Sequence, residues 1–198
     1  MPELRSAPHE RYGVSVETIM FNVVLALLPI ALFSIWLYGL SALVMLVTTV
    51  LACLGTERYF NRASGQSSTL SDWSAMITGI LMALVLPPTF PLWMAAVASF
   101  VAMALGKILF GGLGMNVFNP ALIGRAFAQA AFPSSISTWA PTYAPHRFTE
   151  FIPSTLTVPF MTPPDITAWG KAVSADAFTG ATPMALWKFQ GQFMASQE

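Results

Sequence analysis

The sequence predicts an all-α integral membrane protein. It has about five transmembrane helices, the fifth short or broken, followed by an irregular, proline-rich external segment. Three observations carry this. Of 198 residues, 55% are hydrophobic and only 9% charged, against about 25% charged in soluble domains. Apolar runs near the ~20 residues that a bilayer crossing requires follow one another along the first two thirds of the chain. Finally, the lysines and arginines of this region sit in alternate connections and at one end of the runs.

The first run, "IMFNVVLALLPIALFSIWLY" at 19–38, is long enough to span the hydrocarbon core. Pro29 in its middle predicts a kink, not a break, because neighbouring helices can satisfy a freed carbonyl. After Gly39 comes "LSALVMLVTTVLACLGT" at 40–56. A third run at 73–86 follows Ser71-Asp72 as its N-cap and stops before Pro87-Pro88. The fourth covers 92–110 and the fifth, "NPALIGRAFAQAAF", only 119–132. The first run is too long for the apolar core of a signal peptide, and no small-residue cleavage site follows it.

Nine Lys/Arg balance nine Asp/Glu, so nothing points to a nucleic-acid partner; the partner that composition implies is the lipid bilayer. Cys53 is the single cysteine, which excludes an internal disulfide and any multi-cysteine metal or iron–sulfur site. It reads as a small mid-helix residue. His9 and His146 have no ligand spacing around them, and no metal site is predicted.

Arg5 and Arg11 precede the first run, Arg58 and Arg62 follow the second, and Lys107 lies at the far end of the fourth. All five fall on one side, which the positive-inside tendency assigns to the cytoplasm. The opposite connections, Gly39 and "PPTFP", are uncharged, and Trp36, Trp73 and Trp93 fall near run ends as interfacial anchors do. The organisation that follows is a cytoplasmic segment at 1–18, a helical membrane region at 19–132 and an external segment at 133–198. An odd number of crossings puts that last segment outside.

Ala75, Gly79 and Ala83 repeat every four residues, as do Ala98, Ala102 and Gly106, and such stripes allow close helix packing within the molecule. Between the fourth and fifth runs, Gly111, Gly112 and Gly114 mark flexible or closely approached backbone. Asn119 and Pro120 read as N-cap and first residue of the fifth helix. A run of that length covers ~21 Å, short of the ~30 Å core. Arg125 then either joins the capped helix end in holding an anionic or polar group near the cytoplasmic face, or pairs with carbonyls.

Residues 133–175 hold seven of the fifteen prolines and read as a loop ordered by packing or covered by a partner. Beyond them Thr182 followed by Pro183 reads, on its own, as the start of a helix. The longer run Asp176-Ala177-Phe178-Thr179-Gly180-Ala181-Thr182 is similar to the Asp-x-x-(Ser/Thr)-Gly-Ala-Thr pattern modified by flavin transferases of the bacterial exterior. That similarity implies FMN joined covalently, by a phosphoester, to Thr182, with Asp176, Thr179, Gly180 and Ala181 as the recognition sequence. No base stands beside Thr182 in sequence, so activation of its hydroxyl falls to the transferase.

Together with "SAPH" before the first run, "ALVLPPTFPLW" at 83–93, "KILFGGLGMNVFNPALIGRAF" at 107–127 and "TGATPMALW" at 179–187, this run resembles one membrane-protein family. Its members are the D subunit of the Rnf ion-translocating ferredoxin:NAD oxidoreductase of the bacterial inner membrane and the homologous B subunit of the sodium-pumping NADH:quinone oxidoreductase. The short start and the direct joint at Gly39 favour the Rnf member. The resemblance implies an electron-relaying subunit, not catalytic alone. It would work with other Rnf-type membrane and redox subunits, be matured by a flavin transferase, and be coupled to Na⁺ or H⁺ movement. Family members carry a second helical half, so this chain is expected to correspond to an N-terminal portion. A second, non-covalent flavin near Asn119 and Arg125 is an open alternative. So, from another class, is a channel-like or transporter-like protein without flavin, whose broken fifth helix forms a solute site.

Overall fold

A computed structural model describes residues 15–65, 70–140, 142–144 and 146–159, with the single positions 161, 164, 166 and 169. Among the described residues the regular structure is entirely helical. The helices are α1 (Val16–Tyr38), α2 (Leu40–Ala63), α3 (Ser74–Val85), α4 (Leu92–Met103), α5 (Pro120–Ala131) and the short α6 (Pro133–Ser137). A 3₁₀ turn, Leu70–Asp72, precedes α3, and a π-helical turn, Ala104–Ile108, continues α4. The flavin-motif residues Asp176, Thr179, Gly180, Ala181 and Thr182 lie outside the described residues, as do His9, Arg5 and Arg11.

Two helices, α1 and α2, are long and apolar enough to cross a membrane by length and composition; Ser74–Val85 and Leu92–Ile108 are shorter apolar helices. Ser15 caps α1, its hydroxyl accepting from the Thr18 N–H, and the helix runs through Pro29 without interruption. At its other end α1 is joined to α2 by the single residue Gly39, which has φ +69°. A Cβ there would overlap the Arg147 carbonyl oxygen, so only glycine fits both the backbone angle and the space. The second helix runs seven residues past the apolar run that announces it. Hydropathy falls at Glu57, but Glu-Arg-Tyr-Phe-Asn-Arg-Ala contains no helix breaker.

Asp72 does not cap α3 from the expected position. Trp73, with φ +59°, occupies the cap, while the Asp72 carboxylate accepts from the Ser74 N–H at 2.9 Å. The helix dipole is served from one residue further out.

The five longer helices run alternately between two ends of one bundle. The α1–α2 joint and the 86–91 segment lie at one end, since residues 138–155 bond to both. The α2–α3 and α4–α5 connections lie at the other, where Glu57, Ser74 and Lys107 meet. Small residues set the helix spacing. A Cβ on Gly79 would come within 2.6 Å of Val50 Cα, and one on Gly124 within 2.7 Å of Ala102 Cβ. The stripes of Ala75/Gly79 and Ala98/Ala102/Gly106 are therefore intramolecular contacts. Cys53 is buried between Ala75 and Met103, a packing residue as its position suggested.

The first end is closed by a strap, residues 133–159, which is irregular after α6. Tyr143 N–H donates to Leu37 O at 3.1 Å, Leu40 N–H to Arg147 O at 2.8 Å and Leu92 N–H to Thr155 O at 3.1 Å. Ile152 N–H donates to the buried Ser41 hydroxyl at 2.9 Å. The Arg147 guanidinium bonds Trp36 O at 3.0 Å and lies 4.7 Å from the Phe148 ring centroid. These contacts supply partners for the last carbonyls of α1, which a helix end leaves orphaned.

Candidate functional site

The opposite end of the bundle is built from charge. Helix α2 carries Glu57 one turn beyond Cys53, on its buried face. The 3₁₀ turn brings Asp72 to the start of α3, where Ser74 begins the helix. Across from them the π turn presents Lys107. The Lys107 ammonium pairs with Glu57, donates to the Ser74 hydroxyl and lies 3.4 Å from Asp72 Oδ2. Side-chain exposures are 5% for Lys107, 2% for Glu57 and 17% for Asp72. Asp72 Oδ1 accepts from Ser74, so the four residues form one network.

Local sequence explains the convergence. The wide π turn at Ala104–Ile108 closes with Leu109 N–H donating to Ala104 O at 2.9 Å, and Gly112 N–H then reaches Lys107 O at 3.0 Å. Such a turn changes the direction in which its side chains leave the helix. Gly106 within it lets α5 approach, since a Cβ would sit 2.6 Å from Pro120 Cα. The glycines that follow have φ of +102°, +106° and +87° at 111, 112 and 114. Around Gly112 and Gly114 there is open space, so backbone angle and not close approach is the reason for glycine there.

A cavity of about 170 Å³ opens beside the network, lined by Ser74, Thr78, Lys107, Asn116 and Asn119 among apolar neighbours. Asn119 caps α5 as its sequence indicated, its side chain accepting from Ala121 N–H at 3.0 Å. Arg125 takes the carbonyl alternative: its guanidinium donates to Val85 O at 2.8 Å, at the last turn of α3 before Pro87-Pro88. Asn119 thus lies at the cavity beside Ser74 and Thr78, near the start of α3, whereas Arg125 bonds the last residue of that helix. The cavity at Asn119 is also smaller than the ~300 Å³ at which sites for drug-sized ligands begin. It fits waters and small ions, at roughly 30 Å³ each.

Glu57 carried no signal in a search for apolar runs, because it lies just past the end of one. The four-residue spacing Thr49, Cys53, Glu57, all buried in α2, is the pattern that marks it. Lys107 entered the sequence argument only as a topology marker, and Asp72 only as a cap.

The chain matches the model of the NQR2, RnfD, RnfE family over residues 3–197. It belongs to that family. It is 35% identical over 188 residues to the D subunit of the proton-translocating ferredoxin:NAD(+) oxidoreductase complex of Clostridium ljungdahlii, covering 95% of this chain and 48% of the relative. Against the D subunit of the Na(+)-translocating ferredoxin:NAD(+) oxidoreductase complex of Acetobacterium woodii, identity is 37%, over 94% of this chain and 53% of the relative. The D subunit of the ion-translocating oxidoreductase complex of Halorhodospira halophila is 38% identical over 93% of this chain and 50% of its own. The chain spans about half the length of these curated relatives. The resemblance read from the blocks at 83–93 and 107–127 is borne out, and these three relatives are all D subunits.

Proposed function

We propose that this chain is a membrane-embedded part of the D subunit of an ion-translocating ferredoxin:NAD oxidoreductase complex, with FMN joined to the Thr182 hydroxyl through a phosphoester. The observation that carries the reading is identity of 35–38% to D subunits over more than nine tenths of the chain. The Asp176–Thr182 pattern adds the cofactor, and an odd number of traverses adds the side.

In this reading all five helices cross the bilayer. The end holding Lys107, with the exposed Arg58 and Arg62, faces the cytoplasm. The strapped end faces outward and leads toward the flavin motif, where a flavin transferase of the exterior can reach it. FMN, when attached, supplies the redox chemistry. The chain supplies the acceptor hydroxyl at Thr182, with the small residues Gly180 and Ala181 before it, and an anchor among the described residues of 133–159. Other subunits of the complex would deliver and remove the electrons.

The test is in-gel ultraviolet fluorescence of the denatured chain made with and without the transferase. Fluorescence is expected only with the transferase and only with Thr182 intact; a fluorescent Thr182→Ala chain rules out the attachment. A dark chain from cells containing the transferase would favour the channel-like or transporter-like alternative. The curated relatives include proton- and sodium-translocating complexes at nearly equal identity. The ion is therefore to be read from vesicles of the complex, by Na⁺ uptake with and without a protonophore.

A further inference from the structure

We propose that the strap, residues 133–159, is seated in the bilayer, its two uncharged arms reaching below the headgroups with Trp139 and Leu156 against lipid acyl chains. The proposal rests on the preceding reading only in taking the chain as membrane-embedded. It depends neither on which side each end faces nor on the flavin.

Depth is the first observation. Glu57 and Ser74 bond the same Lys107 ammonium and so share a level. From there α2 reaches back to Leu40, a rise of roughly 26 Å, whereas α3 ends at Val85 after roughly 17 Å. The turn between α3 and α4 therefore begins about 9 Å nearer the middle of the bundle than the α1–α2 joint. All of residues 86–91 are buried, unlike an ordinary connection at a water-facing surface. The strap covers them: the Thr89 hydroxyl donates to Thr138 O, the Thr155 hydroxyl to Pro88 O at 3.4 Å and Leu92 N–H to Thr155 O at 3.1 Å. Residues 138 and 155 are thus tied to the deeper level. Residues 147 and 152 are tied to the α1–α2 joint, through Leu40 N–H and the Ser41 hydroxyl.

Charge follows the same levels. Arg147 and Glu150 both lie within 147–152, the stretch bonded to the α1–α2 joint. On either side, residues 126–145 and 151–164 hold no Asp, Glu, Lys or Arg. A segment in water has no reason to sort its charges by depth, whereas in a bilayer a charge at depth is costly. The arms also expose apolar side chains where they reach the deeper level: Trp139 is 48% exposed and Leu156 56%. At the upper level the exposed Tyr143 and Phe148 rings flank Arg147 beside Trp36, the aromatic and basic pattern of a membrane–water interface. This surface continues the exposed apolar side of α1 at Leu32 and Phe33, the bilayer face of a spanning helix. The deeper backbone finds partners within the protein, as lipid requires. Thr155 N–H donates to Ile152 O at 3.0 Å, Thr157 N–H to Ser154 O at 3.2 Å and the Ser154 hydroxyl to Thr89 O.

The test uses the complete complex in native membranes and reads lipid and water separately. A lipid-soluble aryl diazirine, photolysed to a carbene, marks side chains against acyl chains, and hydroxyl radicals made in the water mark those against solvent. Mass spectrometry of the peptides locates both. Carbene insertion is expected at Trp139 and Leu156 as strongly as at Leu32 and Phe33 of α1. Oxidation of Trp139 should be severalfold below that of the same residue in the denatured complex. Oxidation near the denatured level, without carbene insertion, puts the strap in water and overturns the proposal. If neither reagent reaches Trp139 and Leu156, another subunit covers them, and the proposal is overturned equally. Insertion in α1 but not in the strap defeats the strap's placement alone, whereas failure at α1 as well defeats the reading of the chain as membrane-embedded. A second measurement uses an aspartate, too short to snorkel. Leu156→Asp, at a side chain already exposed, should lower the folded chain recovered in the membrane severalfold, while Thr149→Asp at the upper level should not. Equal recovery of the two variants overturns the proposal.

Discussion

The two ends of the bundle are held in opposite ways. At the strapped end, backbone amides and carbonyls of residues 138–155 exchange hydrogen bonds with backbone groups and hydroxyls of α1, α2, α4 and the 86–91 segment, and the Arg147 guanidinium donates to the Trp36 carbonyl. At the other end, side-chain charges on three separate elements meet around Lys107, beside a cavity and on a π turn. Many short, directional backbone bonds give a rigid surface, because moving one strands several partners. A charge cluster on an irregular turn has few bonds and alternative partners. One end is held by many backbone bonds, the other by a few side-chain bonds among charges.

This contrast can be broken at four places, in falling order of effect. Glu57→Ala takes from the buried Lys107 ammonium its nearer carboxylate, leaving Asp72 and the Ser74 hydroxyl, and should cost about 3 kcal/mol; the thermal midpoint of the detergent-solubilised chain reports it, and the double variant Glu57→Leu/Lys107→Met should recover most of the loss. At the strapped end, Gly39→Ala places a Cβ against the Arg147 carbonyl in a left-handed residue. It should cost about 1–3 kcal/mol and expose residues 146–152 to protease. Ser41→Ala leaves the buried Ile152 N–H without its acceptor, for about 1–2 kcal/mol, read in the same protease assay. Smallest is Gly112→Ala, which meets no neighbouring atom and bears only the strain of φ +106°, about 1 kcal/mol. If Ser41→Ala proved costlier than Glu57→Ala, the division of labour between the ends would be wrong.

Much of the fold was legible in the sequence because hydropathy and the membrane enforce the same pattern. Apolar runs at 19–38 and 73–86 correspond to α1 and α3 within three residues, and Asn119-Pro120 opens α5 where expected. Helix ends beyond an apolar run were not legible: the continuation of α2 to Ala63 depends on propensity, and the π turn at Ala104–Ile108 on packing against Pro120. The charge network escaped for a related reason. Glu57, Asp72 and Lys107 are far apart in sequence and lie at the margins of runs, where a charge usually marks the water boundary. Only the assembled bundle shows that they meet, with Glu57 and Lys107 buried and Asp72 partly so. For Arg125 the sequence allowed two roles, and the end of α3 ahead of Pro87-Pro88 leaves Val85 O as an acceptor that its guanidinium meets.

The measurement that bears most directly on this account is the sidedness of the two ends. A chain with Cys53→Ala carries a single new cysteine either at Thr182 or at Gly65, the exposed residue after α2. Each is treated in intact cells with a membrane-impermeant maleimide. The account predicts labelling of Thr182→Cys in intact cells and of Gly65→Cys only after permeabilisation. Labelling of Gly65→Cys in intact cells, with Thr182→Cys protected, would contradict it.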